Sequence, residues 1–224
     1  MKIYQLDKMV LGVRNNPTTF LNGITANTID KPKNTFLDVH GKIIATFDQL
    51  KVSEGLVFVI IESQFHELLM GHLDRYIRLS KADVRKENFI VYYDLERQYG
   101  LDKEEYLIPQ GGGQLVLTKN KIQNTVSVEE FTLFRLQHHV PVQGVDYRNE
   151  MLLNVDEHEF ISYTKGCFLG QEPISKVHNR SKPTWKLAVR FEDECSAEEK
   201  ARMTSKIKDP QTGKVMGFVF VSNR

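Results

Sequence analysis

The chain lacks most of the features that assign a sequence to a specialised class. Its 224 residues include only two cysteines, Cys167 and Cys195, which is typical of a reducing compartment rather than of a disulfide framework. No apolar run approaches the roughly 18 residues that a membrane-spanning helix needs. Residues 1–16 show no signal-peptide pattern, and the net charge of +1 gives no global polyanion signature. We therefore expect a soluble, cytoplasmic protein without a membrane partner and without a strong nucleic-acid signal.

Motifs for metals and nucleotides are missing as well. There is no Cys-x-x-Cys, and the histidines, such as His138, His139 and His178, are scattered, so we predict no metal site. A phosphate could lie in the triple glycine at 111–113, but the lysine and Ser/Thr of a P-loop do not follow it. A hairpin turn before a strand at 115–117 is the better interpretation.

Hydrophobic periodicity predicts an α+β fold. Asn16 before Pro17 is typical of a helix start, and Ser63 is placed to begin a helix that runs to about Ile77 with one apolar face. The strands around that second helix predict ferredoxin-like packing. A third helix is predicted at 128–139. Strands are predicted at 10–13, 36–41, 43–52, 56–61, 84–95, 160–164, 185–191, 205–208 and 215–221.

The stretch Lys165-Gly-Cys-Phe-Leu-Gly-Gln-Glu172 is not explained by core packing. Its two glycines suggest a tight backbone or a close approach to a ligand. Pro173 predicts a helix start just after the turn, and that helix end, together with nearby basic residues, would favour a thiolate at Cys167 or bind an anionic ligand group. The alternative is that Cys167 is a small buried hydrophobic residue. The residues by themselves leave both interpretations open.

This stretch resembles the Lys-Gly-Cys-Tyr-x-Gly-Gln-Glu signature of the folate-binding YgfZ family, which is related to the T-protein (aminomethyltransferase) of the glycine cleavage system. Residues 20–27, Phe-Leu-Asn-Gly-Ile-Thr-Ala-Asn, resemble the family's Phe-Leu-Gln-Gly-Leu-Thr-x-Asn. Residues 36–44 resemble its Leu-x-Pro-x-Gly-Arg-Ile-Leu segment. The similarity covers most of residues 8–191.

The resemblance implies interlocked antiparallel-sheet subdomains around a channel for tetrahydrofolate, followed by a C-terminal β-barrel. We therefore predict an α+β, T-protein-like fold in three units. A discontinuous folate-binding subdomain would comprise 1–50 and 115–182, and a ferredoxin-like subdomain would comprise 51–114. The β-barrel at 183–224 would be truncated, because few residues remain for it.

The resemblance also implies a function and a site. The function is that of a tetrahydrofolate-binding accessory protein in iron–sulfur cluster assembly or repair, with iron–sulfur proteins or their assembly machinery as partners. Cys167 would be its functional thiol. The residues predicted to contact the folate or a partner are Asn27, Asn154, Lys165, Gly166, Gln171, Glu172, Lys176 and Arg180.

The chain departs from the pattern of the aminomethyltransferases. Ala45 and Thr46 stand where those enzymes carry acids, although Asp48 would share a face with Thr46 in a strand. Asn154 stands where a glutamate holds the pterin, and it offers one neutral acceptor in place of a charged one. We therefore expect weakened folate binding and no aminomethyl transfer. A folate-dependent one-carbon transferase of the T-protein type is the alternative.

Overall fold

The structure, a computed structural model, describes residues 1–223, which form three antiparallel sheets with six α-helices around them. The strands are β1 (Ile3–Leu6), β2 (Lys8–Arg14), β3 (Lys33–Leu37), β4 (Ile43–Ser53), β5 (Leu56–Glu62), β6 (Asp83–Glu87), β7 (Ile90–Asp94), β8 (Tyr106–Pro109), β9 (Gln114–Thr118), β10 (Trp185–Phe191), β11 (Thr204–Lys208) and β12 (Val215–Ser222). The helices are α1 (Pro17–Ile24), α2 (His66–Ser80), α3 (Val128–Gln137), α4 (Leu152–Val155), α5 (Gln171–Arg180) and α6 (Ala197–Arg202). This agrees with the predicted α+β class.

The largest sheet has the strand order β3-β4-β5-β2-β6 and lies in the middle of the molecule. Its central strand β5 is buried on both faces. Val57, Val59 and Ile61 pack toward the side of α1 and α2, whereas Phe58 and Ile60 pack toward the second sheet. A strand buried on both faces is apolar at consecutive positions rather than at alternate ones, which explains the continuous run of β5.

The second sheet has the order β1-β7-β9-β8 and packs against the first sheet, with α3 beside it. The triple glycine 111–113 forms the turn of the β8–β9 hairpin, where the N–H of Gln110 donates to the carbonyl of Gly113 at 2.9 Å. The hairpin interpretation is therefore confirmed. The two facing sheets enclose the space in which the candidate site lies.

The C-terminal unit is a three-stranded sheet of order β10-β12-β11. Leu187 and Phe218 of this sheet share one apolar cluster with α4 and with Ile174 of α5. The sheet is regular along β10 and β12, but β11 contains a bulge between Thr204 and Ile207. In the described part of the chain this sheet has three strands and is open rather than closed into a barrel.

Two of the predicted strands were wrong. The segment 84–95 is not one strand but two, because β6 pairs with β2 of the first sheet and β7 pairs with β1 of the second. The segment 160–164 is irregular. Its entry is shaped by the Asp156 carboxylate, which accepts the backbone N–H groups of His158, Glu159 and Phe160. These side-chain hydrogen bonds satisfy the backbone locally and replace a sheet ladder.

The proposed division into three units stays a prediction. The first sheet takes β2, β3 and the start of β4 from the predicted first unit, and β5 and β6 from the predicted ferredoxin-like unit. The subdomains are therefore interlocked through a shared sheet.

Candidate functional site

A cavity of about 630 Å³ lies where the two packed sheets, α3 and the C-terminal sheet meet. Its volume falls within the roughly 300–1,000 Å³ that small-molecule sites occupy. Apolar walls are provided by Phe47, Leu115, Phe131 and Phe160. The wall also contains polar side chains, several of which belong to three separate clusters.

The first cluster is an ion triad centred on Lys8. The Lys8 Nζ lies 3.0 Å from Asp48 Oδ2 and 2.9 Å from Glu62 Oε1, and Asp48 Oδ1 accepts from Gln110 Nε2 at 3.1 Å. Burial alone would lower the pKa of Lys8, but the charges of the two carboxylates outweigh burial and raise that pKa above its usual value. Lys8 is therefore a fixed cation that holds two acids at the cavity wall.

The second cluster is neutral and surrounds Thr46. Thr46 and Asp48 lie on the same side of β4 and both line the cavity, as expected for a strand. The Thr46 hydroxyl lies 2.7 Å from the Tyr147 hydroxyl, and the Thr46 N–H donates to Gln143 Oε1 at 2.7 Å. Burial raises the pKa of Tyr147, so its phenol stays neutral. A neutral hydrogen-bonded cluster therefore occupies the position at which the transferases carry an acid.

The third cluster joins the cavity to the C-terminal sheet. Asp146 Oδ2 accepts from Arg135 Nη1 at 2.7 Å, and Asp146 Oδ1 accepts from the hydroxyls of Thr204 and Ser205 at 2.8 and 2.6 Å. Arg135 Nη2 also donates to the Ser205 hydroxyl at 2.8 Å. Both partners of the ion pair are buried, and all of these bonds hold the bulge of β11 against α3.

Tyr93 is a cavity residue whose hydroxyl oxygen is buried and has no hydrogen-bond partner in the described part of the chain. Burial, followed by the nearby Asp48 charge, raises the pKa of this phenol above its usual value. A buried polar atom without a partner costs roughly 1–3 kcal/mol. Such an atom is a candidate for a hydrogen bond to a bound ligand.

The charges that line the cavity balance. Four basic and four acidic side chains contribute to the wall, namely Lys8, Lys33, Arg135 and Lys206, and Asp7, Asp48, Glu62 and Glu129. A wall without net formal charge suits a neutral or zwitterionic ring system better than a compact polyanion.

Within residues 1–223, none of the nine residues predicted from the signature contributes to this wall. Asn27 is the nearest by contact. Its buried amide donates to the carbonyls of Lys33 at 3.0 Å and Glu159 at 2.8 Å, so it stands directly behind the cavity residue Lys33. Asn154 is half-buried on α4. The other seven residues lie in the signature turn and α5.

The signature turn is anchored at its two ends. The Lys165 Nζ donates to the carbonyls of Thr25 at 2.6 Å and Asn27 at 3.0 Å, and burial lowers its pKa to about 8. At the other end Gly170 has φ +82 and lies so close to Asp38 that an added Cβ would be 2.4 Å from the Asp38 carbonyl oxygen. Only glycine fits this left-handed position.

Between these anchors Phe168 is buried in the core, whereas Gly166 and Cys167 are exposed. The buried alternative for Cys167 was therefore wrong. α5 begins at Gln171, in agreement with the helix start indicated by Pro173. Glu172, Lys176 and Arg180 are exposed on this helix. The turn brings the predicted residues together at the surface, around a displayed thiol.

The sequence reasoning missed most of the cavity residues. One signal was available: Asp48 is the only acid of β4 and lies in its buried part, and the structure pairs Lys8 with Glu62 across β2 and β5. A charge on the buried face of a strand needs a partner, and such a pair marks a candidate site. Tyr93 and Arg135 gave no such signal, because an isolated tyrosine or arginine is ordinary in a strand or helix.

In the described part of the chain, no helix is both long enough and apolar enough to cross a lipid bilayer. Nor do residues 1–223 bring three His, Cys, Asp or Glu side chains together in an arrangement that would hold a metal ion.

No protein-family model matches the chain. One curated relative is the iron–sulfur cluster assembly factor IBA57 homolog, mitochondrial, of Dictyostelium discoideum, which is 30% identical in an alignment that covers 54% of this chain and 37% of the relative. The match thus spans little more than a third of that protein's length.

The fold is that of the T-protein. The crystal structure of glycine cleavage system aminomethyltransferase T from Bartonella henselae matches 99% of this chain and 78% of that chain, with a TM-score of 0.74 and 9% sequence identity. At this identity the match shows the fold alone. The predicted T-protein-like fold is thereby confirmed: this chain has the fold of the T-protein, and part of it is similar in sequence to an iron–sulfur cluster assembly factor.

Proposed function

We propose that this chain binds tetrahydrofolate in the cavity and acts as an accessory protein in iron–sulfur cluster assembly or repair. Three findings support this proposal: the T-protein fold, the similarity to an iron–sulfur cluster assembly factor, and a cavity of suitable size. The observation that carries it is the unpartnered Tyr93 hydroxyl in a cavity that also presents Asp48.

The residues of the cavity fit a flat heterocycle. Phe131 and Phe160 provide aromatic surface for a ring system. Each oxygen of the Asp48 carboxylate accepts one hydrogen bond, from Lys8 or from Gln110, and so retains capacity for a further donor. The N–H groups of a pterin are donors of this kind. A bound tetrahydrofolate would supply a ring nitrogen able to carry a one-carbon unit.

The same cavity favours binding over aminomethyl transfer. Thr46, Gln143 and Tyr147 satisfy one another where the transferases have acids, and they leave no charged group at that point. The acid that is present, Asp48, is held by the Lys8 cation. We therefore assign the cavity a role in ligand binding and do not propose transferase activity.

Cys167 is proposed as the functional thiol, presented to a partner rather than to the cavity. The turn that carries it is fixed by Lys165 and Gly170, while Cys167 itself is exposed. Gly166, Gln171, Glu172, Lys176 and Arg180 are proposed to contact that partner. Folate contacts by Asn27 and Asn154, and the cytoplasmic location, stay predictions.

Calorimetric titration with tetrahydrofolate tests the binding proposal. We expect saturable binding to the native chain, and for Tyr93→Phe an affinity lower by about fivefold, since the loss of one hydrogen bond to a ligand is worth roughly 1 kcal/mol. Tyr92→Phe is the matched control, because Tyr92 neighbours Tyr93 on β7 but belongs to a different apolar cluster and does not line the cavity.

The absence of both heat and a thermal shift at millimolar tetrahydrofolate would contradict folate binding. An equal loss of affinity in both tyrosine variants would contradict the contact assigned to the Tyr93 hydroxyl. The thiol proposal is tested separately, by measuring iron–sulfur enzyme activities in cells that depend on this chain. We expect Cys167→Ser to lower those activities and Cys195→Ser to leave them unchanged. Equal activities in both variants would reject the role of Cys167.

A further inference from the structure

Charge is segregated along the C-terminal third of the chain. Residues 173–191 contain five lysines and arginines and no acid, whereas residues 192–199 contain five acids and no lysine or arginine. The overall charge of +1 hides this separation. The two segments are adjacent, so a basic stretch of the chain is followed directly by an acidic one.

The two segments differ in how their charges are paired. Glu192 and Asp193 form ion pairs with Lys206 and Lys214. None of the thirteen ion pairs within residues 1–223 includes a basic side chain of 173–191, although all five are exposed. Two of the five acids are thus paired and none of the five bases is, within the described part of the chain, so the bases are available to another molecule.

Three of these bases lie within ten residues of an exposed tryptophan in the sequence. Lys176 and Arg180 are spaced i, i+4 on α5 and so lie on one face of that helix, and Lys182 follows directly. Trp185, the only tryptophan of the chain, is 42% exposed at the start of β10. By strand alternation it points to the side of Leu187, against which α5 packs.

We propose that Lys176, Arg180, Lys182 and Trp185, together named the basic face, form the docking surface for a protein partner whose acidic side chains surround an apolar pocket for Trp185. Tryptophan and arginine are enriched at the centres of protein interfaces, where an aromatic anchor provides burial and charges provide orientation. Because α5 follows the signature turn directly, a partner docked there would lie beside Cys167.

A protein fits this surface better than a nucleic acid does. Three basic side chains offer few phosphate contacts compared with the roughly 6–10 that a tight nucleic-acid complex uses. The acidic segment 192–199 would also repel an extended phosphate backbone passing the basic face. A compact acidic protein surface avoids that segment.

Trp185 itself provides the measurement, since its fluorescence reports burial without any label. The probes are a soluble synthetic peptide of glutamates with interspersed leucines, an all-glutamate peptide, a single-stranded oligonucleotide of equal charge, and vesicles containing phosphatidylglycerol. We expect the glutamate–leucine peptide to shift the emission to the blue in a saturable, salt-sensitive manner, and to bind more tightly than the other three probes.

Charge reversal tests the surface. The variant Lys176→Glu/Arg180→Glu/Lys182→Glu should bind the peptide at least about tenfold more weakly. The matched control is Lys86→Glu/Lys103→Glu/Lys121→Glu, which reverses three exposed lysines outside the basic face. Circular dichroism and thermal unfolding verify that both variants are folded.

The proposal is overturned if no probe shifts the emission, if the oligonucleotide or the vesicles bind more tightly than the glutamate–leucine peptide, or if the control variant loses as much affinity as the test variant. These results are independent of folate binding, because within residues 1–223 the basic face lines no part of the cavity.

Discussion

The cavity and the signature turn hold their polar groups in different ways. In the cavity, Lys8 and Arg135 each face buried carboxylates, and the wall has no net formal charge. In the turn, the Lys165 ammonium donates hydrogen bonds to backbone carbonyls, and the Cys167 side chain is exposed. The difference teaches that the most recognisable motif of the chain lies at the surface, while the cavity is formed by residues outside that motif.

Asp146→Ala should have the largest effect on the cavity side. It leaves Arg135 buried without its anion and removes the acceptor for Thr204 and Ser205. We expect the free energy of unfolding to fall by about 3–5 kcal/mol, measured by urea denaturation. The double variant Arg135→Met/Asp146→Leu should lose less, and an equally large loss would show that the ion pair itself is not the cause.

Gly170→Ala should be the most damaging single change in the turn. The new Cβ would lie 2.4 Å from the Asp38 carbonyl oxygen, at a backbone φ of +82. We expect a loss of about 1–3 kcal/mol in the free energy of unfolding. Gly166→Ala is the control, because a Cβ there meets nothing within 4 Å. If both variants were equally stable, the turn would be loosely held rather than anchored.

Tyr92 and Tyr93, which are neighbours on β7, differ in whether their hydroxyl groups are hydrogen-bonded. Tyr92 is fully buried and its hydroxyl accepts the Ile122 N–H at 2.9 Å, whereas the Tyr93 hydroxyl has no partner among the described residues. Tyr92→Phe should therefore cost about 1 kcal/mol of stability, and Tyr93→Phe should cost nothing or stabilise the free protein. Thermal unfolding without ligand distinguishes them, and a destabilised Tyr93→Phe would mean that its hydroxyl is already satisfied.

Lys165 makes the stability of the turn depend on pH. Its pKa is lowered from 10.5 to about 8 by burial. Between these two values the unfolded chain retains the proton that the folded chain has lost, so the contribution of Lys165 to stability rises with pH. We expect the native chain to gain stability relative to Lys165→Met between about pH 8 and about pH 10.5, as urea denaturation at a series of pH values would measure. A constant difference would contradict the lowered pKa.

Cys167→Ser should have the smallest effect, within about 0.5 kcal/mol, because the side chain is exposed. Its contrast with Cys195 is chemical rather than energetic. Burial raises the pKa of Cys195, whose Sγ donates to the Phe191 carbonyl. Iodoacetamide should therefore modify Cys167 in the folded protein and Cys195 only after unfolding, as mass spectrometry would show. Modification of both at equal rates would contradict this placement.

Local patterns predicted the elements that depend on neighbouring residues. The apolar face of α2, the helix start near Pro173 and the glycine hairpin 111–113 all follow from spacings of a few residues, and all three are present. Strand pairing was different. Nothing within 84–95 indicates that its two halves belong to separate sheets, because that choice depends on whether β2 or β1 is the neighbour.

The candidate site shows the same limit. Asp48 could be placed on the face of Thr46 from strand alternation alone, and the structure confirms this. Its partners could not be named, since Lys8 and Gln110 are distant in sequence and meet Asp48 only across a sheet and between sheets.

The sequence by itself determined the fold class, the signature turn and the separation of charge in 173–199, because each can be recognised from short runs of neighbouring residues. Only the tertiary structure decided that Cys167 is exposed, that Lys165 donates to backbone carbonyls and that the cavity lies elsewhere. The physical reason is that burial and ion pairing depend on which distant strands pack together, and a residue's neighbours in the chain do not specify that packing.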